Sequence, residues 1–151
     1  MIRRQKVFWH TSFFKALLDN ADPHHSRAAL ILEELVKDKV NIFTSYLSIL
    51  ETFQYLQITK DPNVALIFMQ AILSSNIGIL FPTKRDLNLA YRYLKMNQDK
   101  NIDCLEVISS IYMQRMEIEY IMTFEIWHDL LGSAVSPLIV APKFPELSIL
   151  G

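Results

Sequence analysis

Short apolar runs alternate along the chain with longer segments in which apolar residues recur at helical spacing. The short runs predict β-strands, and they cover residues 6–9, 40–44, 77–81, 120–124 and 138–141. Residues 24–39 show the helical pattern, with apolar residues at i, i+3, i+4, i+7 and i+8 counted from Ala28. This alternation predicts a single α/β domain over residues 1–151, in which helices cover both faces of a mainly parallel sheet. A loose tail is expected from about residue 142.

Three further helical segments each carry an apolar stripe that is predicted to face the core. The stripes comprise Tyr46, Ile49, Leu50 and Phe53; then Val64, Ile67, Phe68, Ala71 and Ile72; and then Leu87, Ala90, Tyr91 and Leu94. Residues 12–18 predict a short first helix with Thr11 as its N-cap. Ser45 is the predicted N-cap of the helix that follows the second strand.

Composition and charge limit the kinds of partner that the protein can have. Apolar residues make up 51% of the 151 residues, which is enough to bury a sizeable core. The 15 basic and 16 acidic side chains nearly cancel, so a global positive field that would attract nucleic acid is excluded. Basic residues cluster in two stretches, which are either small phosphate-facing patches or solvated surface charge: Arg3, Arg4 and Lys6, and then Lys84, Arg85, Arg92 and Lys95. No apolar stretch approaches the ~20 residues of a membrane span, so we expect a soluble protein without membrane contacts.

The scarcity of cysteine and glycine disfavours several classes of protein. Cys104 is the single cysteine, which excludes an internal disulfide and favours a reducing, cytoplasmic environment. It lies on the apolar face of the last predicted helix, residues 103–116, where a buried and inert thiol is expected. The three glycines, Gly78, Gly132 and Gly151, leave neither a G-x-G-x-x-G turn nor a P-loop, and a hydrolase nucleophile elbow is also missing.

Candidate chemistry is concentrated in side chains near the predicted strand ends and helix starts. His10 directly follows the first strand, and Glu125 closes the apolar run of the fourth. Asp103 opens a helix, and Glu51 lies about two turns into another. In open α/β sheets the functional crevice lies beyond the carboxyl ends of the parallel strands, so all four side chains can reach the same crevice.

Carboxylates that converge in a crevice repel each other unless a cation relieves the repulsion. Mg²⁺ and Mn²⁺ are hard cations that prefer oxygen ligands, and such a site can activate water for phosphodiester hydrolysis. Each acid also has a purely structural explanation. Asp103 can be a helix cap, Glu125 a first-turn acid favoured by the helix dipole, and Glu51 a partly exposed helix residue.

Four short motifs resemble those of PIN-domain proteins, and especially of VapC-type ribonuclease toxins. The opening strand and acid-Thr-Ser turn of that family are similar to the run Val7-Phe8-Trp9-His10-Thr11-Ser12-Phe13-Phe14. Glu51 resembles the second acid of the family, and Asp103-Cys104 the third. Thr123-Phe124-Glu125, followed by His128, is similar to the Thr-Phe-acid stretch that carries the fourth. The motifs occur in the family's order from residue 7 to about residue 142.

The resemblance implies a three-layer α/β/α domain with a Mg²⁺ or Mn²⁺ site and endoribonuclease activity on structured RNA, either tRNA or rRNA. It also implies a homodimer and a small cognate antitoxin protein that covers the site. The implied catalytic and metal-binding residues are Glu51, Asp103 and Glu125, with His10 at the first position and Asp99 as a substitute for the third acid. The implied substrate-positioning residues are Thr11, Ser12, Thr123 and His128.

His10 departs from the family pattern, which has its first metal-binding Asp at this position. A neutral imidazole removes one negative charge and offers nitrogen instead of oxygen, so the affinity for Mg²⁺ should fall. Three explanations remain open: His10 silences a toxic nuclease, it binds a softer ion such as Mn²⁺ or Zn²⁺, or the fold now only binds a protein partner. Metal dependence separates the nuclease from the non-catalytic interaction module, because only the nuclease loses its function in a chelator.

Overall fold

The computed structural model describes residues 5–118, 120–124 and 138–140, the last three by their backbone. Among these residues, five strands form one sheet in the order β3-β2-β1-β4-β5. The strands are β1 Lys6–Trp9, β2 Asn41–Ser45, β3 Gly78–Leu80, β4 Tyr120–Met122 and β5 Leu138–Val140. The tail predicted from about residue 142 lies outside the described residues.

The sheet is parallel except at one edge. In β1, Val7 pairs with Ile42 of β2 on one side and with Tyr120 of β4 on the other, and both pairings are parallel. β2 and β3 are also parallel, whereas Tyr120 of β4 pairs with Val140 of β5 in the antiparallel sense. The predicted mainly parallel sheet is therefore confirmed, and β1 lies at its centre.

Six α-helices connect or flank these strands in the described part of the chain. They are α1 Thr11–Leu18, α2 His25–Lys37, α3 Tyr46–Thr59, α4 Pro62–Ser74, α5 Lys84–Met96 and α6 Cys104–Arg115, and a 3₁₀ turn spans Gln98–Lys100. None of the helices among these residues has the length and hydropathy needed to span a bilayer.

Alternate residues of β1 point to opposite faces of the sheet and join two separate cores. Phe8 packs in one cluster with residues of α5 and α6, among them Tyr93 and Tyr112. Val7 packs in the other cluster with residues of α1, α2, α3 and α4, among them Phe68. Helices thus cover both faces of the sheet, and the predicted three-layer α/β/α arrangement is confirmed.

The apolar stripes predicted for α3, α4 and α5 were wrong in part, because the face that each helix buries is displaced around the helix from the predicted face. Large apolar side chains that were expected in the core are 40% to 59% exposed: Tyr46, Leu50, Ile67, Leu87 and Tyr91. In α3 the buried face includes Thr52, whose hydroxyl donates to the carbonyl of Ser48 at 2.7 Å. In α5 it includes Asp86, which forms an ion pair with Arg115 at 2.8 Å. Polar residues that find partners can be buried, and a hydrophobic pattern alone does not reveal them.

Two local predictions at helix starts were also wrong. α1 begins at Thr11 and is capped by His10, so Thr11 is not its cap. Cys104 is exposed, because the first turn of α6 is largely solvent-accessible and continuous burial begins at Val107. The prediction for Ser45 is confirmed: its hydroxyl accepts the backbone N–H of Ser48 at 3.0 Å.

Candidate functional site

His10 lies at the carboxyl end of the central strand, between the neighbouring strand β4 and the start of α1. Its backbone is extended, with φ −82° and ψ 161°, and its N–H donates to the carbonyl of Met122 at 3.0 Å. Nδ1 of the imidazole accepts the backbone N–H of Ser12, a long contact of 3.5 Å that caps α1. The side chain is therefore fixed at the edge of the sheet where the sequence predicts the crevice.

A chain of hydrogen bonds connects the end of β4 with His10. The backbone N–H of Phe124 donates to Oγ of Ser12 at 2.9 Å. The hydroxyl oxygens of Ser12 and Thr123 are 3.0 Å apart, and Oγ1 of Thr123 lies 3.1 Å from Nδ1 of His10. One consistent assignment has Ser12 donating to Thr123 and Thr123 donating to Nδ1, which requires Nδ1 to carry no proton. Thr11 and Thr123 are only 1% exposed.

The environment of His10 keeps its imidazole neutral. Burial lowers the pKa of His10 from 6.5 to about 4, because a charged ring loses its hydration there. The positive charge of Lys15 lowers the pKa further, whereas the negative charge of Asp103 raises it. At neutral pH the position at the end of β1 therefore carries no charge.

Lys15 is a component of the site that sequence reasoning missed. It lies one turn into α1 from Thr11, and its Nζ is 4.8 Å from the centroid of the Tyr55 ring. Lys15 follows Thr11 by four residues, so the two side chains lie on the same face of α1. This spacing is the sequence signal that places the charge of Lys15 near the start of α1, where His10 lies.

Glu51 reaches the same edge from α3. The hydroxyl of Thr11 donates to Oε1 of Glu51 across a long contact of 3.5 Å, and the Glu51 side chain is exposed. The first residue of α1 thus connects the carboxylate of α3 to the turn that contains His10.

Asp103 is the N-cap of α6, as its structural explanation predicts. Its Oδ1 accepts the backbone N–H groups of Leu105 at 2.7 Å and Glu106 at 3.2 Å, and the residue is exposed. Its charge nevertheless acts on His10, since it raises the pKa of that residue. Asp99 lies a little earlier, in the exposed 3₁₀ turn Gln98–Lys100.

A metal centre is not assembled by the described residues alone. Over residues 5–118 and 120–124, no group of three or more His, Cys, Asp or Glu side chains is placed so that it could hold a metal ion. The imidazole Nδ1 of His10 faces hydroxyl groups, and Oδ1 of Asp103 is used by the helix cap. Glu125 and His128, the other two predicted members of the site, lie outside the described residues.

The comparison with solved structures gives a clear likeness in fold. VapC20 of Mycobacterium tuberculosis, a sarcin-ricin loop cleaving toxin, superposes with a TM-score of 0.67 and 22% sequence identity. The match covers 82% of this chain and 91% of VapC20. The chain has the fold of a VapC toxin. Protein-family models give no match, and neither do curated protein sequences.

The VapC fold confirms the architecture that the sequence resemblance implied. At 22% identity the likeness concerns the fold. The structure brings His10, Ser12 and Thr123 together and places Thr11 beside Glu51. It places Asp103 within electrostatic reach of His10.

Proposed function

We propose that this chain is an endoribonuclease of the VapC type whose activity is weakened or silenced by His10. The observation that carries the proposal is the state of His10, a neutral imidazole hydrogen-bonded to its neighbours at the carboxyl end of the central strand. The sequence resemblance puts a metal-binding carboxylate at this position. VapC20 is a sarcin-ricin loop cleaving toxin, and we propose structured RNA, tRNA or rRNA, as the substrate of this chain.

The neutral imidazole weakens such a site in two ways. It supplies no negative charge to hold a hard divalent cation, and its Nδ1 is already committed to the hydroxyl of Thr123. Glu51, Asp103 and the predicted Glu125 are then left to bind Mg²⁺ or Mn²⁺, and the two that are described do not form a complete site with His10. Low or absent turnover is the expected result.

The hydroxyl groups of Thr11, Ser12 and Thr123, which are predicted to position substrate, also contact residues of the proposed site. Thr123 and Ser12 position the His10 ring, and Thr11 contacts the Glu51 carboxylate. We therefore propose Thr11, Ser12 and Thr123 as positioning residues. His128 remains a predicted substrate-positioning residue, and Asp99 a predicted substitute ligand for the third acid.

Restoring the carboxylate tests the proposal. RNA cleavage is measured for the parent chain, for His10→Asp and for His10→Asn, each with Mn²⁺ and with chelator, on sarcin-ricin loop RNA and on a pool of tRNA and rRNA. We expect only His10→Asp to cleave, and only with Mn²⁺. His10→Asn is the matched control, because it removes the imidazole without adding a charge. Cleavage by the parent chain at the rate of His10→Asp would contradict the proposal.

The second candidate function is a non-catalytic interaction module that binds a protein partner through the same fold. It is favoured by the lack of a metal-holding group among the described residues. Binding of a cognate antitoxin in the presence of chelator, together with no cleavage by His10→Asp, would support it. The antitoxin, a homodimer and a cytoplasmic location remain proposals that rest on the resemblance to VapC toxins.

A further inference from the structure

Side chains of α1 and α3 meet in successive contacts that begin at the proposed site. The first contact joins the hydroxyl of Thr11 to Oε1 of Glu51 at 3.5 Å. One turn further along both helices, Nζ of Lys15 lies 4.8 Å from the centroid of the Tyr55 ring. Because residues four apart lie on the same face of a helix, Lys15 shares the face of α1 that contacts Glu51.

The Tyr55 ring, over which the ammonium lies, is held by its own hydrogen bond. Its hydroxyl donates to Oδ2 of Asp19 at 2.7 Å, and Oδ1 of the same carboxylate lies 3.0 Å from Nζ of Lys60. The backbone N–H of Ala21 also donates to Oδ1 at 3.0 Å. The attraction between a cation and the face of a held ring gives the Lys15 ammonium a preferred position.

The Lys15 side chain extends towards the site. The Cα–Cβ bonds of a helix tilt towards its N-terminus, so this side chain leans towards the start of α1, where His10 lies. Burial lowers the pKa of His10 most, and the positive charge of Lys15 lowers it further. Lys15 is only partly exposed, which reduces the screening of its charge by water. The ammonium therefore acts on the same edge of the sheet as the proposed site.

Among the residues that the structure describes, no Asp or Glu side chain forms an ion pair with Lys15. The Asp19 carboxylate, one turn further along the chain, is paired with Lys60 at 3.0 Å. Oε1 of Glu51 faces the hydroxyl of Thr11 instead. An ammonium without a carboxylate partner can bind an anionic ligand without first breaking an internal ion pair.

The charges of the site explain why an RNA substrate needs such a cation. Glu51 and Asp103 are exposed carboxylates, and they repel the phosphates of RNA. His10 is neutral, so it does not offset this repulsion. RNA carries a phosphate at every nucleotide, and a strand that reaches the site therefore brings a phosphate close to Lys15. The ammonium supplies the attraction that the acids of the site oppose.

We propose that Lys15 binds a phosphodiester group of the RNA substrate beside the site. Its ammonium donates hydrogen bonds to the non-bridging oxygens, and the Tyr55 ring beneath it keeps the ammonium in place. A phosphate contact selects no base, so Lys15 positions RNA of any sequence. The inference deepens the proposed function and rests on it for the choice of RNA as ligand.

Equilibrium binding in chelator tests this contact without interference from cleavage. The probe is a fluorescent sarcin-ricin loop RNA, and anisotropy gives its dissociation constant. Lys15→Gln should weaken binding by about tenfold and lower the slope of log K against log salt by about one. Lys15→Arg keeps the charge and should bind like the parent. Lys37→Gln is the matched control, because it removes an exposed lysine just before β2, at the opposite edge of the sheet.

Turnover gives a second measurement in the His10→Asp variant with Mn²⁺. A phosphate contact that is equally strong in the bound substrate and in the transition state contributes to binding alone. Adding Lys15→Gln should therefore raise KM by about tenfold and leave kcat within about twofold. A fall in kcat with an unchanged KM would overturn the proposal.

Three outcomes of the binding measurements would also overturn it. In the first, Lys15→Arg and Lys15→Gln lose RNA affinity equally, which a contact that depends on charge does not do. In the second, Lys15→Gln leaves RNA binding unchanged and tightens Mn²⁺ binding to His10→Asp, so that the ammonium only offsets the acids of the site. In the third, Lys15→Gln weakens the binding of polyglutamate and not that of RNA, so that the ligand is an acidic protein segment.

Failure of this inference can be distinguished from failure of the proposed function. If the parent chain binds RNA and Lys15→Gln binds it equally well, only the role of Lys15 is overturned. If neither the parent chain nor His10→Asp binds RNA, the proposed function is overturned together with it. Failure of His10→Asp to cleave RNA that it binds contradicts only the nuclease proposal, because the effect of Lys15→Gln on binding is measured without turnover.

Discussion

Thr123 and His10 are 113 residues apart in the chain, yet Oγ1 of one lies 3.1 Å from Nδ1 of the other. This contact joins the carboxyl ends of β4 and β1 at the centre of the sheet. When the Thr123 hydroxyl donates to Nδ1, this atom accepts two hydrogen bonds, one from Thr123 and one from the backbone N–H of Ser12. Both bonds therefore depend on the protonation state of the imidazole. A protonated ring has a hydrogen on both nitrogens and can no longer accept these bonds.

Stability should therefore fall when the pH is lowered through the range in which His10 titrates. The folded protein holds the pKa of His10 at about 4, against an ordinary value of 6.5. Between these values the unfolded chain binds more protons, so the contribution is fully present above pH 6.5 and is lost progressively towards pH 4. The lost free energy of unfolding is on the order of 3 kcal/mol, measured by urea denaturation at a series of pH values.

The matched control for this pH dependence is His10→Asn, which keeps a good N-cap and cannot titrate. The free energy of unfolding of His10→Asn should change much less between pH 6.5 and pH 4 than that of the parent chain. An equal pH dependence in the parent chain and in His10→Asn would show that another group is responsible.

Removing the Thr123 hydroxyl should also destabilise the protein, because this hydroxyl contacts both Nδ1 of His10 and Oγ of Ser12. Thr123→Val conserves shape but leaves Ser12 and His10 without their shared partner, so we expect a loss of about 1–2 kcal/mol in the free energy of unfolding. Thr59→Val, which removes an exposed hydroxyl bonded to the Tyr55 carbonyl, should change it by less than about 0.5 kcal/mol. Equal losses in the two variants would argue against a special role of the Thr123 hydroxyl.

A second pH-dependent contact lies at the end of α1. The hydroxyl of Tyr55 donates to Oδ2 of Asp19 at 2.7 Å, and Nζ of Lys60 lies 3.0 Å from Oδ1. The Tyr55 bond, the N–H of Ala21 and Lys60 together lower the pKa of Asp19 from 3.8 to about 2. The contribution to stability is present above pH 3.8 and is lost as the pH falls towards 2.

Tyr55→Phe should move the pKa of Asp19 back towards 3.8, because the first of these bonds is lost. The titration of the Asp19 carboxylate can be followed by NMR. Tyr91→Phe, which removes the hydroxyl of an exposed ring on α5, is the matched control and should leave the Asp19 pKa at its parent value. An unchanged Asp19 pKa in Tyr55→Phe would assign the effect to Ala21 and Lys60.

Breaking the ion pair between Asp86 and Arg115 should be costly. Arg115→Met leaves the Asp86 carboxylate 2% exposed without its cation, and we expect a loss of about 3 kcal/mol in the free energy of unfolding. Lys37→Met changes an exposed lysine in the same way and should have little effect. Adding Asp86→Asn to Arg115→Met should recover part of the loss; no recovery would mean that the unpaired charge is not its source.

The strands of this fold could be predicted from the sequence because each is a short apolar run with polar or turn residues beside it. β1 has the predicted bounds, and β2 and β3 differ by one residue at each end. The rule that functional groups collect at the carboxyl ends of strands also predicted that His10 lies at the sheet edge beyond β1, and there its N–H donates to the carbonyl of Met122 at the end of β4.

Helix rotation and the fine geometry of the site could not be predicted in this way. The buried positions of Thr52 and Asp86 depend on partners, the Ser48 carbonyl and Arg115, that only folding brings near. The approach of Glu51 to Thr11, and of Asp103 to His10, likewise depends on where α3 and α6 begin relative to β1. A one-dimensional pattern contains no information about such distances.

The central position of β1 has a consequence for the growing polypeptide. Val7 meets Ile42 of β2 early in synthesis, but its partner in β4, Tyr120, is added only when most of the chain has been made. Until then one side of β1 offers unpaired N–H and C=O groups beside buried apolar residues, which is the kind of edge that recruits strands from other chains. Truncated chains that end before β4 are therefore expected to aggregate, and the ribosome-bound intermediate to need a chaperone.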